Sequence, residues 1–365
     1  MDADRGGMMQ RARRSKALQE RKEEHIDICL SEDVEAEHNY WAEIHLLHEP
    51  LPELNYDDIE TSTALLGRRL AAPIIIAAMT GGTEKGARIN ESLAAAAAEL
   101  QIGMGVGSQR PALEDPSLAK GFRVVREYDI PLVMANLGAP QLVEQRGKRP
   151  ITMDEIGQAM EMIGAHAVAV HLNFLQEIAQ PGGDLNAEGC IDAIRDVARG
   201  FKVIAKETGG GMPREAAARL KSAGIAAIDI GGMGGTSFSA VEHHRAVLRG
   251  ARLLARVGKT FWNWGIPAPA ALCQAAVGLP IIATGGLRTG LDAAKAIAMG
   301  ASAAGFARAL LKPAMDGKKA VRTELEAIVA ELKTAMFLTA SQHIPALHSK
   351  RWIATGRTRE WLEQL

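Results

Sequence analysis

Residues 281–299 read IIATGGLRTGLDAAKAIAM. The apolar run Ile281-Ile282-Ala283-Thr284 closes into Gly285-Gly286-Leu287-Arg288 and passes directly into an alanine-rich helical stretch, 290–299. β-branched residues favour a strand, and the small unbranched residues that follow favour a helix. The unit is therefore strand, glycine turn, helix. Working outward from it, the same texture recurs from Pro73 to Phe306. Apolar runs predict strands at 74–79, 102–106, 132–136, 167–172, 202–206, 226–230, 281–284 and 303–306, with helices at 89–100, 153–164, 191–199, 213–223 and 290–299. Strands alternating with helices at this spacing mean βαβ units and a parallel sheet. Eight of them is the number that closes a (β/α)8 TIM barrel, an α/β fold. The rival, a doubly wound sheet, carries a G-x-G-x-x-G turn after its first strand, and that turn is missing here. Gly103, Gly105 and Gly107 alternate within and just after a strand and do not supply it. The sixth unit is unusual: 50 residues separate Ile230 from Ile281, with a helix expected at 240–257 and the segment 261–267 beyond it. Long loops in compact domains tend to be functional.

The chain has 365 residues, 42 Lys+Arg against 43 Asp+Glu, and a formal net charge of −1. That balance argues against a protein whose main work is gripping nucleic acid. Cys29, Cys190 and Cys273 are the three cysteines, far apart and without ligand spacing, so neither a disulfide framework nor a zinc site is expected. No apolar run approaches the ~20 residues that span a bilayer. The basic N-terminus lacks the apolar core of a secretory signal. These features predict a cytoplasmic protein without membrane or nucleic-acid partners. Residues 1–20 read as a disordered tail, with a helix starting before Arg21, and 21–70 form no repeated unit.

A barrel of this kind carries function where its strands end. The first strand is followed by Met79-Thr80-Gly81-Gly82, the second by Gly107-Ser108-Gln109-Arg110 and the third by Asn136-Leu137-Gly138. The fourth ends in His171-Leu172-Asn173 and runs on to Gln176-Glu177, the fifth in Lys206-Glu207-Thr208, the sixth in a glycine-rich run from 231 to 237. The glycine-rich endings of the sixth and seventh strands, with Thr236 and Arg288 as donors, form a candidate phosphate cradle, since glycines let backbone N–H groups approach an anion. Lys206 reads equally as an inward cation for an anion or ring edge and as a rim residue paired with Glu207. Arg21, Lys22 and His25 share one helical face and form either a polyanion site or a solvated helix end. Glu177 suits Mg²⁺ beside a substrate phosphate, yet by spacing alone it is also a first-turn carboxylate favoured by the helix dipole. His171 lies on the same strand face as Asn173.

In this order, the endings resemble the type 2 isopentenyl-diphosphate isomerases, flavoproteins of isoprenoid synthesis. The likeness runs from about Arg21 to Pro313. It rests on Arg21-Lys22-Glu23-Glu24-His25, Ala78-Met79-Thr80-Gly81-Gly82, Gly107-Ser108-Gln109-Arg110, Ala135-Asn136-Leu137-Gly138 and His171-Leu172-Asn173 through Gln176-Glu177. Further along it includes Gln180-Pro181-Gly182-Gly183-Asp184, Lys206-Glu207, Gly234-Gly235-Thr236-Ser237-Phe238, Trp264-Gly265-Ile266-Pro267 and Gly285-Gly286-Leu287-Arg288. The resemblance implies one FMN-binding barrel domain over 21–365, interconverting isopentenyl and dimethylallyl diphosphate with reduced FMN and Mg²⁺ by a 1,3-proton shift. NADPH is the implied reductant.

By position, the resemblance implies FMN contacts at Ala78, Met79, Thr80, Ser108, Asn136, Lys206, Thr236, Gly286, Leu287, Arg288, Ala307 and Arg308. It places the substrate at Arg21, Lys22, His25, Ser108, Gln109, Arg110, Asn173 and Gln176, the metal on Glu177, and Gln176 with His171 at the catalytic centre. Gln176 does not titrate at neutral pH and takes a positioning role. Three positions depart from the family pattern: Pro213 stands for Ser, Asn263 for Asp and Ala268 for Thr. The resemblance also implies a homo-oligomer, tetramer or octamer, and the helical segments 323–338 and 358–365 carry apolar positions consistent with self-association.

The alternative is an FMN-dependent oxidoreductase of the 2-hydroxy-acid oxidase type. That class needs a His base and an Arg clamp on late strands; Arg288 could serve, but no His stands near the seventh strand end. A nucleotide dehydrogenase would need a cysteine after the sixth strand, where Thr236 stands.

Overall fold

The computed structural model describes residues 19–364. The expected tail thus lies outside the described residues up to residue 18, and residues 19–31 are helical. Eight parallel strands close into a barrel: Ile74–Ile76, Gly103–Gly105, Leu132–Gly138, Ala167–Leu172, Val203–Glu207, Ala227–Asp229, Ile281–Ala283 and Ala303–Phe306. The eighth pairs back onto the first through Ala304↔Ile74, Gly305↔Ile75 and Phe306↔Ile76. All eight fall where the apolar runs predict them.

The two-residue period of a strand sorts the side chains. Ile75, Leu132, Met134, Ala169, Ile204 and Ile282 pack together inside the barrel, whereas Ile74 and Ile76 turn outward against the helical layer. Small residues alternate with large ones inside, which fills a barrel of this strand number without a channel. Leu65 and Leu70 join the inner cluster. They come from a hairpin, Thr63–Leu65 with Arg68–Leu70, that seals one end. A second short ribbon pairs Ile44–Leu46 antiparallel with Trp352–Ala354, tying the two ends of the chain together.

The helices start where side chains satisfy their first N–H groups. Thr289 caps Gly290–Ala298 with Asp292 as its reciprocal partner, so a helix N-terminus begins immediately beyond Arg288. The expected single helix at 240–257 is instead two, Phe238–Leu248 and Arg252–Thr260. Gly250, at φ 67°, makes the left-handed turn that ends the first. With Ala268–Gln274 they fill the long sixth excursion. Among the described residues no helix is long and apolar enough to cross a membrane.

Candidate active site

Strand direction brings the C-terminal ends of all eight strands to one mouth, and the helix 19–31 lies across it. Arg21, Lys22 and His25 line the cavity there together with Asn173, Gln176 and Glu177. Segments more than a hundred residues apart thus share one site.

Each basic residue has a distinct partner. The Lys22 ammonium donates to the carbonyls of Gly81 at 2.5 Å and Ser108 at 2.9 Å, and lies 4.8 Å from the Phe122 ring centre. Removal from water, together with Arg21, pushes it down to about 7. Arg21 Nη1 donates to Gln180 Oε1 at 3.2 Å, while its Nε is buried without a partner. Desolvation lowers this guanidinium from its ordinary value. Both groups would be stabilised by an anion. His25 Nε2 sits 2.8 Å from Glu242 Oε1, and desolvation keeps it below its usual value.

Glu177, in the first turn of Phe174–Ala179, is buried. Its Oε1 accepts from Asn173 Nδ2 at 3.1 Å; its Oε2 accepts from Gln180 Nε2 and from the backbone N–H of Asp184 at 2.8 Å. A carboxylate has about four lone-pair positions, so Oε1 keeps acceptor capacity. Among the described residues no group of three or more His, Cys, Asp or Glu could hold a metal by itself. One carboxylate with a free lone pair fits Mg²⁺ shared with a substrate phosphate rather than an all-protein cage. The Gln176 amide is fixed at both ends, donating to Glu242 at 3.2 Å and accepting from Asn173 at 3.3 Å. His171 Nδ1 lies 2.8 Å from Asn136 Oδ1. Burial, reinforced by Lys206 and Lys22, pushes this imidazole down to about 3, so it is neutral at ordinary pH.

Ala78, Met79, Thr80, Ser108 and Asn136 line the same cavity from the first three strand ends. The Thr80 hydroxyl and the Asn173 carbonyl are buried and unpartnered, the state expected of groups that await a polar ligand. Lys206 takes the inward of its two expected readings: it lines the cavity and pairs with the buried Asp229 carboxylate at 2.8 Å, not with the carboxylate of Glu207 at the rim. Its neighbour Glu207 accepts from the N–H groups of Gly209, Gly210 and Gly211, and burial pushes its carboxyl up to about 7 despite those donors.

Thr236, Gly286, Leu287, Arg288, Ala307 and Arg308 complete the opposite wall. Here the sixth and seventh loops touch backbone to backbone. A Cβ on Gly285 would fall 1.9 Å from the Gly232 carbonyl oxygen, and Gly285 and Gly286 have φ of 99° and 86°. Only glycine meets both conditions. Trp41 Nε1 donates to the Gly285 carbonyl at 2.8 Å and Asn39 Nδ2 to that of Gly286 at 3.1 Å. The carbonyls are thereby engaged on the outer side. Glycine backbone, the N-terminus of the helix Arg308–Asp316, which no side chain caps, and two arginines fit a phosphate monoester, and the unpartnered Thr80 and Asn173 groups fit a polar ring system.

Two of the expected substrate residues do not line this cavity. Gln109 is fully buried; its Nε2 donates to Ala159 O at 2.7 Å and its Oε1 accepts from the Asn136 N–H at 3.1 Å. Its side chain braces the third strand. Arg110 pairs with Glu114 at 2.7 Å and Asp184 at 2.6 Å, reinforcing the loop that closes over Glu177. Sequence reasoning also overlooked Glu242, which burial would raise but His25 and Arg245 hold down to about 2, and Glu35, Asn39 and Trp41. No periodicity marks these residues, because their roles depend on which loops fold against each other. Of the three departures, Asn263 accepts from the Glu37 N–H at 2.9 Å, Ala268 is fully buried, and Pro213 precedes the helix Arg214–Ser222.

The family model described as FMN-dependent dehydrogenase matches residues 183–354. Among solved structures, a mandelate oxidase mutant with the monooxide FMN adduct has a TM-score of 0.60 at 19% identity, covering 88% of this chain and 91% of that one. A flavocytochrome b2 mutant with pyruvate bound has a TM-score of 0.59 at 15% identity, covering 87% and 77%. At such identities they share the fold. The isopentenyl-diphosphate delta-isomerase of Thermoplasma volcanium is 47% identical, covering 95% of this chain and 99% of that protein. That of Thermoplasma acidophilum is 48% identical, covering 94% and 98%, and that of Archaeoglobus fulgidus 46%, covering 94% and 98%. With nearly half of all positions shared over almost the full length of both partners, the chain belongs to the isopentenyl-diphosphate delta-isomerases.

Proposed function

We propose that this chain interconverts isopentenyl and dimethylallyl diphosphate at the barrel mouth, with reduced FMN and Mg²⁺, by a 1,3-proton shift. The observation that carries the reading is the convergence of Arg21, with its unpartnered Nε, and the desolvated Lys22 on the cavity that holds Glu177. Two cations short of an anion and one carboxylate with a free lone pair suit a magnesium diphosphate. FMN would be held by Thr80, Asn136, Lys206 and the glycine wall with Arg288 and Arg308. When bound and reduced, it supplies an electron-rich ring that stabilises cationic character and exchanges protons in a dry pocket.

The chain's own residues orient and insulate. Glu177 would hold the metal beside the diphosphate. Gln176, fixed by Asn173 and Glu242, packs beside the hydrocarbon portion and positions it. His171 is neutral and offers a hydrogen bond without adding charge that would quench a cationic transition state. The helix 19–31 borders the mouth through Arg21, Lys22, His25, Ile26 and Cys29 and would shield a bound substrate from water. Reduction by NADPH and assembly into a homo-oligomer belong to the same reading.

One experiment tests it. Purified protein should show a flavin absorption spectrum with FMN and, after dithionite reduction, should convert isopentenyl diphosphate only with Mg²⁺. Glu177→Ala should keep the flavin spectrum and lose Mg²⁺-dependent turnover. A chain that stays colourless with FMN defeats the flavin reading, and unchanged turnover in the variant removes Glu177 as the metal ligand.

A further inference from the structure

Arg288 and Arg308 follow the seventh and eighth strands, beside Gly286 and Ala307, and one carboxylate engages both. Glu35 Oε2 lies 2.6 Å from Arg288 Nη2, and its Oε1 lies 2.9 Å from Arg308 Nη1. Among the described residues no other acid forms a salt bridge with either arginine. Glu35 comes from a different part of the chain, a strap over the sixth loop. The strap is pinned by backbone bonds from Ala36 N–H to Gly235 O and from Ser237 N–H to Val34 O, both 2.8 Å. The Trp262 indole N–H donates to the Glu35 carbonyl at 2.8 Å. The main chain at Glu35 is therefore fixed by bonds that do not involve its side chain, which is 26% exposed beside the two arginines.

We propose that Glu35 is an internal stand-in for the cofactor's phosphate: its carboxylate holds the Arg288–Arg308 pair until the phosphate of FMN displaces it, and so sets how tightly flavin binds. The proposal rests on the flavin reading above. A carboxylate offers one oxygen to each guanidinium, whereas a phosphate monoester brings three terminal oxygens and about two negative charges to the same pair. The two anions cannot share the arginines without repulsion, so phosphate binding turns Glu35 outward. Because the strap's backbone bonds do not involve the side chain, that exchange leaves the strap in place. A flavin without a phosphate has no reason to displace it.

Full-length chain freed of flavin is titrated with FMN and with riboflavin, following flavin fluorescence, for the wild type and for Glu35→Gln. The amide keeps the size and removes the charge. FMN should bind about tenfold tighter to the variant, a plausible size for one like-charge contact near the surface, while riboflavin affinity stays the same. FMN affinity unchanged or weakened in Glu35→Gln overturns the proposal, a weakening showing that the carboxylate orders the arginines instead. Equal changes for both flavins also overturn it, because the effect then lies in the fold rather than at the phosphate. A wild type that binds neither flavin refutes the flavin reading, and this proposal with it.

Discussion

Lys22 shows how one position converts burial into ligand preference. Its ammonium has two carbonyl acceptors and, among the described residues, no carboxylate in salt-bridge contact, and removal from water brings it to about 7. Because this value lies below that of the unfolded chain, burying Lys22 carries a stability cost that is full below pH 7 and fades as pH rises toward the unfolded value, and a bound anion recovers that cost. On the proposed reading, a diphosphate would bind the protonated form and take up a proton above pH 7. Pyrophosphate affinity in the presence of Mg²⁺, measured by calorimetry, should fall by about fivefold between pH 7 and 8 relative to Lys22→Met. The variant cancels the ligand's own ionisation, and identical pH slopes in the two proteins would show that Lys22 does not meet the anion. From sequence alone, Arg21-Lys22 and His25 are a charged helix face that could equally be solvated. What no spacing could reveal is that this helix lies over Gly81 and Ser108, a contact set by tertiary packing.

The strand–turn–helix unit was the most legible level, because its signals are local: β-branched runs, glycine at the turn, threonine caps. All eight strands lie where hydrophobicity predicts them, and the seventh unit shows why. Gly285 cannot carry a side chain, since the Gly232 carbonyl occupies the place of its Cβ and its φ is 99°. Gly285→Ala should therefore separate the sixth and seventh loops, costing about 2–4 kcal/mol in urea unfolding, within the range for strained backbone positions. It should also lose FMN affinity well beyond what the stability loss explains. Wild-type flavin binding in this variant would show that the two loops do not need to touch to form the cradle. The less legible elements were those whose meaning is not local. The helix expected at 240–257 is cut by Gly250 because one left-handed residue outweighs the helical propensity around it. Gln109, expected at the substrate, is drawn inward by the Ala159 carbonyl and the Asn136 N–H. Its polar type was readable in the sequence, but the direction of its side chain was not.

At the scale of the molecule, the barrel divides stability from chemistry. One end carries the cavity, its unpartnered polar groups and its buried cations. The other is closed by the hairpin whose Leu65 and Leu70 enter the inner apolar cluster with Ile75, Leu132 and Ile282. Residues 21–70 contain no repeated unit, and their sequence gives no sign of this plug, since three-residue strands leave almost no period to detect. Leu70 is fully buried, so truncation to alanine leaves a cavity at the floor that a closed ring of strands can collapse only in part. Leu70→Ala should lower unfolding free energy by about 2–5 kcal/mol, the usual range for buried leucine. Its effect on FMN affinity should be negligible, because the floor and the glycine wall lie at opposite ends of the same strands and share no polar partner. Urea unfolding and flavin titration on one preparation separate the two quantities. A parallel loss of both would mean that the barrel transmits strain along its strands, and that mouth and floor must be treated as one cooperative site.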